Sequence, residues 1–150
     1  MLRDPSLVPL SHQHHNGLAL CVLVRRSLAA GAAAENIARL ARRVIDRYEL
    51  ELVNHFDLEE RVLFAETERH LGKQDLVALL VAEHRRIEQI IGELRSAPSA
   101  ECLEGFCTLL TAHIRREENE LFQQIQQGLP REVLERIGEV LQDKAIRICL

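Results

Sequence analysis

The chain has 150 residues, of which 47% are apolar and 28% charged, with four prolines and a formal charge of −4. That balance suits one folded domain with a real core and excludes a disordered chain. Aromatics are only 3% of the residues, and the basic side chains are interspersed with acidic ones, so neither a phosphate-binding footprint nor a base-stacking platform is expected, and no nucleic acid is expected as a partner.

The first predicted helix starts near Ser11, an N-cap residue after Pro9, and ends around Gly31. Its inward face reads Leu10, His14, Leu18, Cys21, Val24, Leu28. The apolar run from Leu18 to Val24 is too short to span a bilayer, and no signal peptide is evident before it, so a cytoplasmic, non-membrane protein is expected. A second helix is predicted from about Glu35 to about His70, ahead of Gly72, with Leu52, His55, Glu59 and Val62 on one face. A third runs from about Gln74 to Arg95 with the stripe Val77, Leu80, His84, Ile87, Ile91, joined by Glu88. Ser96 to Ser99 is a break, and Ser99 caps a fourth helix carrying Phe106, Leu110, His113, Glu117 and Leu121 as far as Gly128. Pro130 suits the first turn of a shorter fifth helix, about 130–147, with Val133, Leu134, Ile137, Val140 and Leu141 inward. The apolar tail at Ile146–Leu150 offers a surface for a partner or a homodimer. Short loops between four long amphipathic helices predict an all-α, antiparallel up-down-up-down four-helix bundle with a short fifth C-terminal helix. The four cysteines, Cys21, Cys102, Cys107 and Cys149, form no Cys-x2-Cys pair and are expected to be reduced, with Cys21 packed in the core.

One pattern occurs twice: His-x3-Glu-Glu-x2-Leu-Phe, first at His55, Glu59, Glu60, Leu63 and Phe64, then at His113, Glu117, Glu118, Leu121 and Phe122. Residues four apart on a helix share a face, so each copy aims an imidazole and a carboxylate into the same small volume. Three of the seven histidines, His55, His84 and His113, have Glu four residues on. Such pairs occur on solvated helix faces as favourable neighbours, but here each interrupts an apolar stripe, and no Lys or Arg sits on those stripes to compensate a buried carboxylate. A metal cation compensates it directly. His14, or His15 beside it, and His84 supply further donors. Imidazole mixed with carboxylate suits iron, manganese or zinc. Four histidines and two carboxylates are too many for one tetrahedral zinc and fit two ions bridged by carboxylates, with Glu60, Glu88 or Glu118 available to join. Glu51, four residues before His55, is a candidate to hold that ring. Tyr48 is expected to pack, and His12 and His70 to lie at the surface.

Leu10-Ser-His-Gln-His14 with Leu18, the two repeats, and Glu83-His84 between them, in this order over about residues 8–127, resemble the haemerythrin-like, or HHE cation-binding, proteins. The resemblance implies a four-helix bundle around a non-haem di-iron centre, two iron ions held by His14, His55, Glu59, His84, His113 and Glu117, with both glutamates bridging. The chain departs from the oxygen-carrying members, whose third helix carries His-x3-His and whose fourth carries His-x4-Asp: here Glu88 stands at the second helix-three position, and Glu117 is preferred to Glu118 because it repeats the Glu59 spacing. A harder, carboxylate-richer donor set favours ferric iron and disfavours reversible oxygen carriage. It leaves a binding protein that senses oxygen, redox state or iron, or handles iron, and as the alternative a di-iron oxidase, ferroxidase or peroxide-consuming enzyme.

Overall fold

The computed structural model describes residues 2–148. Cys149 and the end of the apolar tail lie outside the described residues, which form helices and no strand. Helix α1 is Val8–Ala30, and it does not begin at Ser11. A 3₁₀ turn, Pro5–Leu7, precedes it, capped by the Asp4 carboxylate, which accepts the Ser6 N–H at 3.0 Å. With that turn supplying the cap, Ser11 is freed for another partner inside the helix. Helix α2 spans 34–71 as one rod built from α-helical Ala34–Arg47, a π turn at Tyr48–Leu52, α-helical Val53–Leu58, a second π turn at Glu59–Phe64, and Ala65–Leu71. Gly72 ends it at φ +78°, a backbone conformation that costs glycine nothing.

Helix α3, Asp75–Ser96, matches the sequence reading closely. Pro98 breaks the chain, and Ser99 Oγ accepts the Cys102 N–H at 3.0 Å to cap the next helix. Helix α4 spans 100–128 as α-helical Ala100–Arg116, a π turn at Glu117–Leu121, and Phe122–Gly128. Helix α5, Arg131–Lys144, is shorter than expected at its C-terminal end, and Pro130 stands at its N-cap, one residue before its first turn.

The four long helices close a ring: α1 packs on α2 and α4, and α3 packs on α2 and α4. Helix α5 lies outside the ring, against the Pro5–Leu7 turn, α1 and the second π turn of α2. Gly138 makes the approach to that turn possible, because a Cβ there would sit 2.9 Å from the Ser6 Cα.

The interior is divided in two. One apolar cluster is built from Leu20, Cys21, Val24, Leu40, Val44, Phe56, Ile87, Ile91, Phe106, Cys107 and Leu110, among others. The second is built from Leu7, Leu10, Leu58, Leu63, Phe64, Leu80, Leu121, Phe122, Ile125 and inward residues of α5. Helices α1 and α3 run from the second cluster to the first, whereas α2 and α4 run from the first to the second. Between the clusters lies a layer of polar side chains.

Candidate metal centre

That polar layer contains His14, His55, Glu59, His84, His113 and Glu117, each between 0 and 3% exposed. The structure thus brings together all six residues singled out from the sequence. Their donor atoms form two groups. His14, His55, Glu59 and Glu117 offer atoms within 4.8 Å of one another, and so do Glu59, His84, His113 and Glu117. The two glutamates belong to both. Glu59 Oε1 lies 2.8 Å from His55 Nε2 and 3.4 Å from His14 Nε2, while its Oε2 lies 3.0 Å from His84 Nε2. Glu117 Oε2 lies 2.9 Å from His14 Nε2 and 3.4 Å from His113 Nε2.

Every one of the four rings turns Nε2 inward and Nδ1 outward to a fixed acceptor. His14 Nδ1 donates to Glu118 Oε1 at 2.7 Å, and His84 Nδ1 donates to Glu60 Oε2 at 2.8 Å. His113 Nδ1 donates to Glu83 Oε2 at 2.8 Å, and His55 Nδ1 donates to Gln13 Oε1 at 2.8 Å. A carboxylate or amide oxygen only accepts, so Nδ1 carries a proton, and in the neutral ring the Nε2 lone pair is the one that faces the interior. Three arginines anchor the three carboxylates: Arg3 on Glu118, Arg85 on Glu60 and Arg116 on Glu83. Ser11 Oγ also donates to Glu118 at 2.7 Å.

The repeat therefore has a division of labour. Within each copy the histidine and the first glutamate point into the layer. The second glutamate reaches across to the histidine of a neighbouring helix: Glu60 to His84, Glu118 to His14. The phenylalanine stacks on that same ring, Phe64 on His84 at 5.8 Å and Phe122 on His14 at 5.5 Å between centroids. Phe56 also stacks on His84, at 3.9 Å between centroids. In both copies the π turn begins at the first glutamate, and its wider turn lets Leu63 with Phe64, and Leu121 with Phe122, all be buried.

The electrostatics are those of a layer short of positive charge. Burial alone drives the His14 imidazole down, yet Glu117, Glu118 and Glu59 outweigh it and hold it well above the ordinary histidine value. His84 is raised in the same way, burial being overcome by Glu59 and Glu60. Burial pushes the Glu59 carboxyl up, but His55, His14 and His84 pull it well below the usual carboxylate range. Without a proton or a cation between them, the inward atoms have nothing to bond. His14 Nε2, His55 Nε2 and both oxygens of Glu59 and of Glu117 are buried without a hydrogen-bond partner, and His84 Nε2 and His113 Nε2 have only one another, at 3.2 Å. Orphaned donor atoms of nitrogen and carboxylate oxygen, converging at this spacing in a dry layer, fit metal cations.

Some expectations need correction. Glu60 and Glu118 do not point into the layer; they hold histidine rings from outside it. Glu88 lies at the surface with Arg85. Glu51 does not hold His55; it accepts from Asn16 Nδ2 at 2.9 Å, and Gln13 takes the expected role. His15 is exposed and lies outside the layer that contains the buried His14, and His12 and His70 are exposed as expected. Tyr48 packs edge-on against Phe56, and Cys21 is buried in the core. Cys21, Cys102 and Cys107 are free thiols. Gln13 and Glu83, two of the four ring-holding residues, carried no role in the sequence reading. The available signal was their shared position, each one residue before an inward histidine.

No helix among the described residues is long and apolar enough to cross a membrane. Compared with known proteins, residues 8–125 match the family model described as the hemerythrin HHE cation binding domain. No curated protein and no solved structure gives a significant match.

Proposed function

Since the chain belongs to the hemerythrin HHE cation-binding domain family, we propose that it is a non-haem di-iron protein that senses oxygen, redox state or iron, or handles iron. The observation that carries this reading is the set of orphaned inward atoms on six buried side chains, arranged as two overlapping groups. In the proposed centre His14 and His55 hold one ion and His84 and His113 the other. Glu59, whose two oxygens face opposite groups, and Glu117 belong to both donor groups and would be shared by the two ions. Four donors for each ion leave positions free on metals that accept six, which supports dioxygen as a ligand. When bound, the ion pair would supply a redox couple and a place for dioxygen; the protein's own part is to fix the rings, exclude water with Phe56, Phe64 and Phe122, and hold each Nδ1–H in its hydrogen bond to an acceptor.

The alternating order in which the helices meet the two core clusters supports an antiparallel up-down-up-down bundle with α5 as an added fifth helix, all in one domain. The free thiols, two of which are buried side by side with Cys107 Sγ 3.8 Å from the Cys21 carbonyl, support a reducing compartment such as the cytoplasm.

Metal analysis of the purified protein, with ultraviolet-visible spectra before and after exposure to air, tests the reading. The expected result is close to two irons per chain and near-ultraviolet charge-transfer absorption on oxidation. Zinc or manganese in both positions would replace iron in the reading, and a metal-free protein that takes up none of the three would overturn it. The same free positions favour a second reading, a di-iron oxidase, ferroxidase or peroxide-consuming enzyme. Oxygen consumption during aerobic ferrous titration separates the two, since turnover beyond the bound iron marks the enzyme.

A further inference from the structure

The two halves of the layer correspond residue for residue, with one break. His14 and His84 are matched: each receives the second glutamate and the phenylalanine of a repeat on another helix. His55 and His113 are matched as the first residues of the two repeats. The residues that accept their Nδ1 protons also correspond, since each immediately precedes the inward histidine of its helix. One is Gln13, before His14, and the other is Glu83, before His84. At this single pair a neutral amide stands opposite a carboxylate.

The amide is held so that it cannot act otherwise. Gln13 Nε2 faces two acceptors, Asn54 Oδ1 at 3.2 Å and the Ile146 carbonyl at 3.0 Å. Asn54 is itself fixed as an acceptor by the Ile146 N–H at 3.0 Å, while its own amide nitrogen donates to the Lys144 carbonyl at 3.1 Å. Gln13 therefore presents Oε1, and only Oε1, to His55. The segment that follows α5 helps to hold it there.

An imidazole whose far proton is drawn toward a carboxylate is a more basic ligand than one bonded to an amide. His84 and His113 are both backed by carboxylates, Glu60 and Glu83. Of His14 and His55 only the first is, by Glu118. We infer that the two positions are inequivalent, with Gln13 acting as the positioning residue that makes the His14/His55 position the weaker, later-filling and more exchangeable of the two. The inference rests on the two-ion reading above and deepens it. It assigns the labile ion to the half of the layer that is tied, through Gln13 and Asn54, to the C-terminal segment.

The test is an anaerobic titration of the reduced, metal-free full chain with Co²⁺, read by heat and by the visible absorption of bound cobalt. Two binding steps are expected. Glu83→Gln weakens the first step about tenfold and leaves the second in place. Glu118→Gln weakens the second step about tenfold and leaves the first. Gln13→Glu strengthens the second by a similar factor and shifts its absorption toward that of the first. Because Gln13→Glu turns a carboxylate oxygen toward Asn54 Oδ1 and the Ile146 carbonyl, it is the variant most exposed to misfolding; in the two glutamine variants the amide oxygen stays on the histidine Nδ1–H and the amide nitrogen displaces only the partly exposed Arg116 or Arg3, which turns to solvent, so they decide without it. A purely structural role would lower the melting temperature without sorting the variants by step. The inference is overturned if Glu83→Gln weakens the second step instead, if Glu83→Gln and Glu118→Gln act on the same step, or if neither moves either step. A chain that binds no Co²⁺ at all overturns the two-ion reading together with it.

Discussion

At the scale of single residues the layer is a problem in charge, and its pH dependence follows from two opposed shifts. His14 is held above its ordinary value, so in the metal-free protein its contribution to stability is complete below the unfolded histidine value, about 6.5, and is lost as pH rises through the folded one. Glu59 is held below its ordinary value, so its contribution is complete above the unfolded carboxylate value, about 4.3, and is lost as pH falls toward the folded one. The metal-free protein is therefore expected to melt highest in the mildly acidic range between those values and to lose stability toward alkaline pH. The metal-loaded protein should behave oppositely on the alkaline side, because a cation replaces protons and binds more tightly as they leave. Thermal melts of both forms from about pH 4 to 9 check this, and parallel curves would contradict it. Glu59→Ala removes a donor shared by both groups and is expected to reduce bound metal to one ion or fewer per chain by elemental analysis. The inward residues were legible in the sequence because spacing by four on an apolar stripe is a property of one helix. The ring-holding partners were not: Gln13 reaches from α1 to α2 and Glu83 from α3 to α4, and which helix stands beside which is decided by packing.

At the scale of elements, α3 and the Ser99-capped start of α4 were read correctly, since their boundaries rest on local signals: a proline, a capping serine, a change in periodicity. Ser11 misled because Pro5–Leu7 supplies an earlier start, and that turn owes its place to α5 packing against it from the far end of the chain. The π turns left no mark in composition. The repeat was visible as ten residues, but that Glu-Glu-x2-Leu-Phe widens the helix follows only from the need to bury positions four and five after the first glutamate together. Asn119 is exposed within the turn at Glu117–Leu121. Its deletion is expected to return that turn to α-helix, with little change in helical circular dichroism. Metal affinity should still fall tenfold or more, about the cost of losing a ring-holding contact, because Glu117, Glu118 and Phe122 are re-aimed together. Asn119→Ala, which keeps the extra residue, should bind as the parent does. Equal affinity in both variants would show that the wide turn has no part in the site. Gly138 offers a second check at this scale. A Cβ there meets the Ser6 backbone, which no side-chain rotation can relieve, so Gly138→Ala should lower stability by about 1–3 kcal/mol in a denaturant titration.

For the whole molecule, the polar layer lies across the middle of the core, and among the described residues the apolar side chains fall into two separate clusters, one on each side of it. Each half buries large side chains, such as Phe106 in one and Phe122 in the other, so the metal-free chain retains a hydrophobic reason to fold. What it lacks is a neutral join between the halves. Ions that bind the folded chain and not the unfolded one add stability that grows with their concentration: about 4 kcal/mol at a thousandfold excess over the dissociation constant. For a chain of this length that corresponds to a rise of roughly 8–16 °C in melting temperature. Chelation should remove it, and metal-loaded and chelated protein melting together would contradict the placement of cations at the join. A change deep in one cluster then asks whether the halves are coupled. Phe106→Ala opens a cavity on one side of the layer and should cost about 3–5 kcal/mol. If the layer acts as a rigid partition, that cost is the same with and without metal, because sites that share no partner add. If the ions stiffen both halves through the shared glutamates, the cavity is costlier in the loaded protein, where the surroundings relax less. The first outcome describes a centre that is carried by the fold, and the second one that organises it. A sensor needs the second, since only then does a change at the ions reach the rest of the molecule.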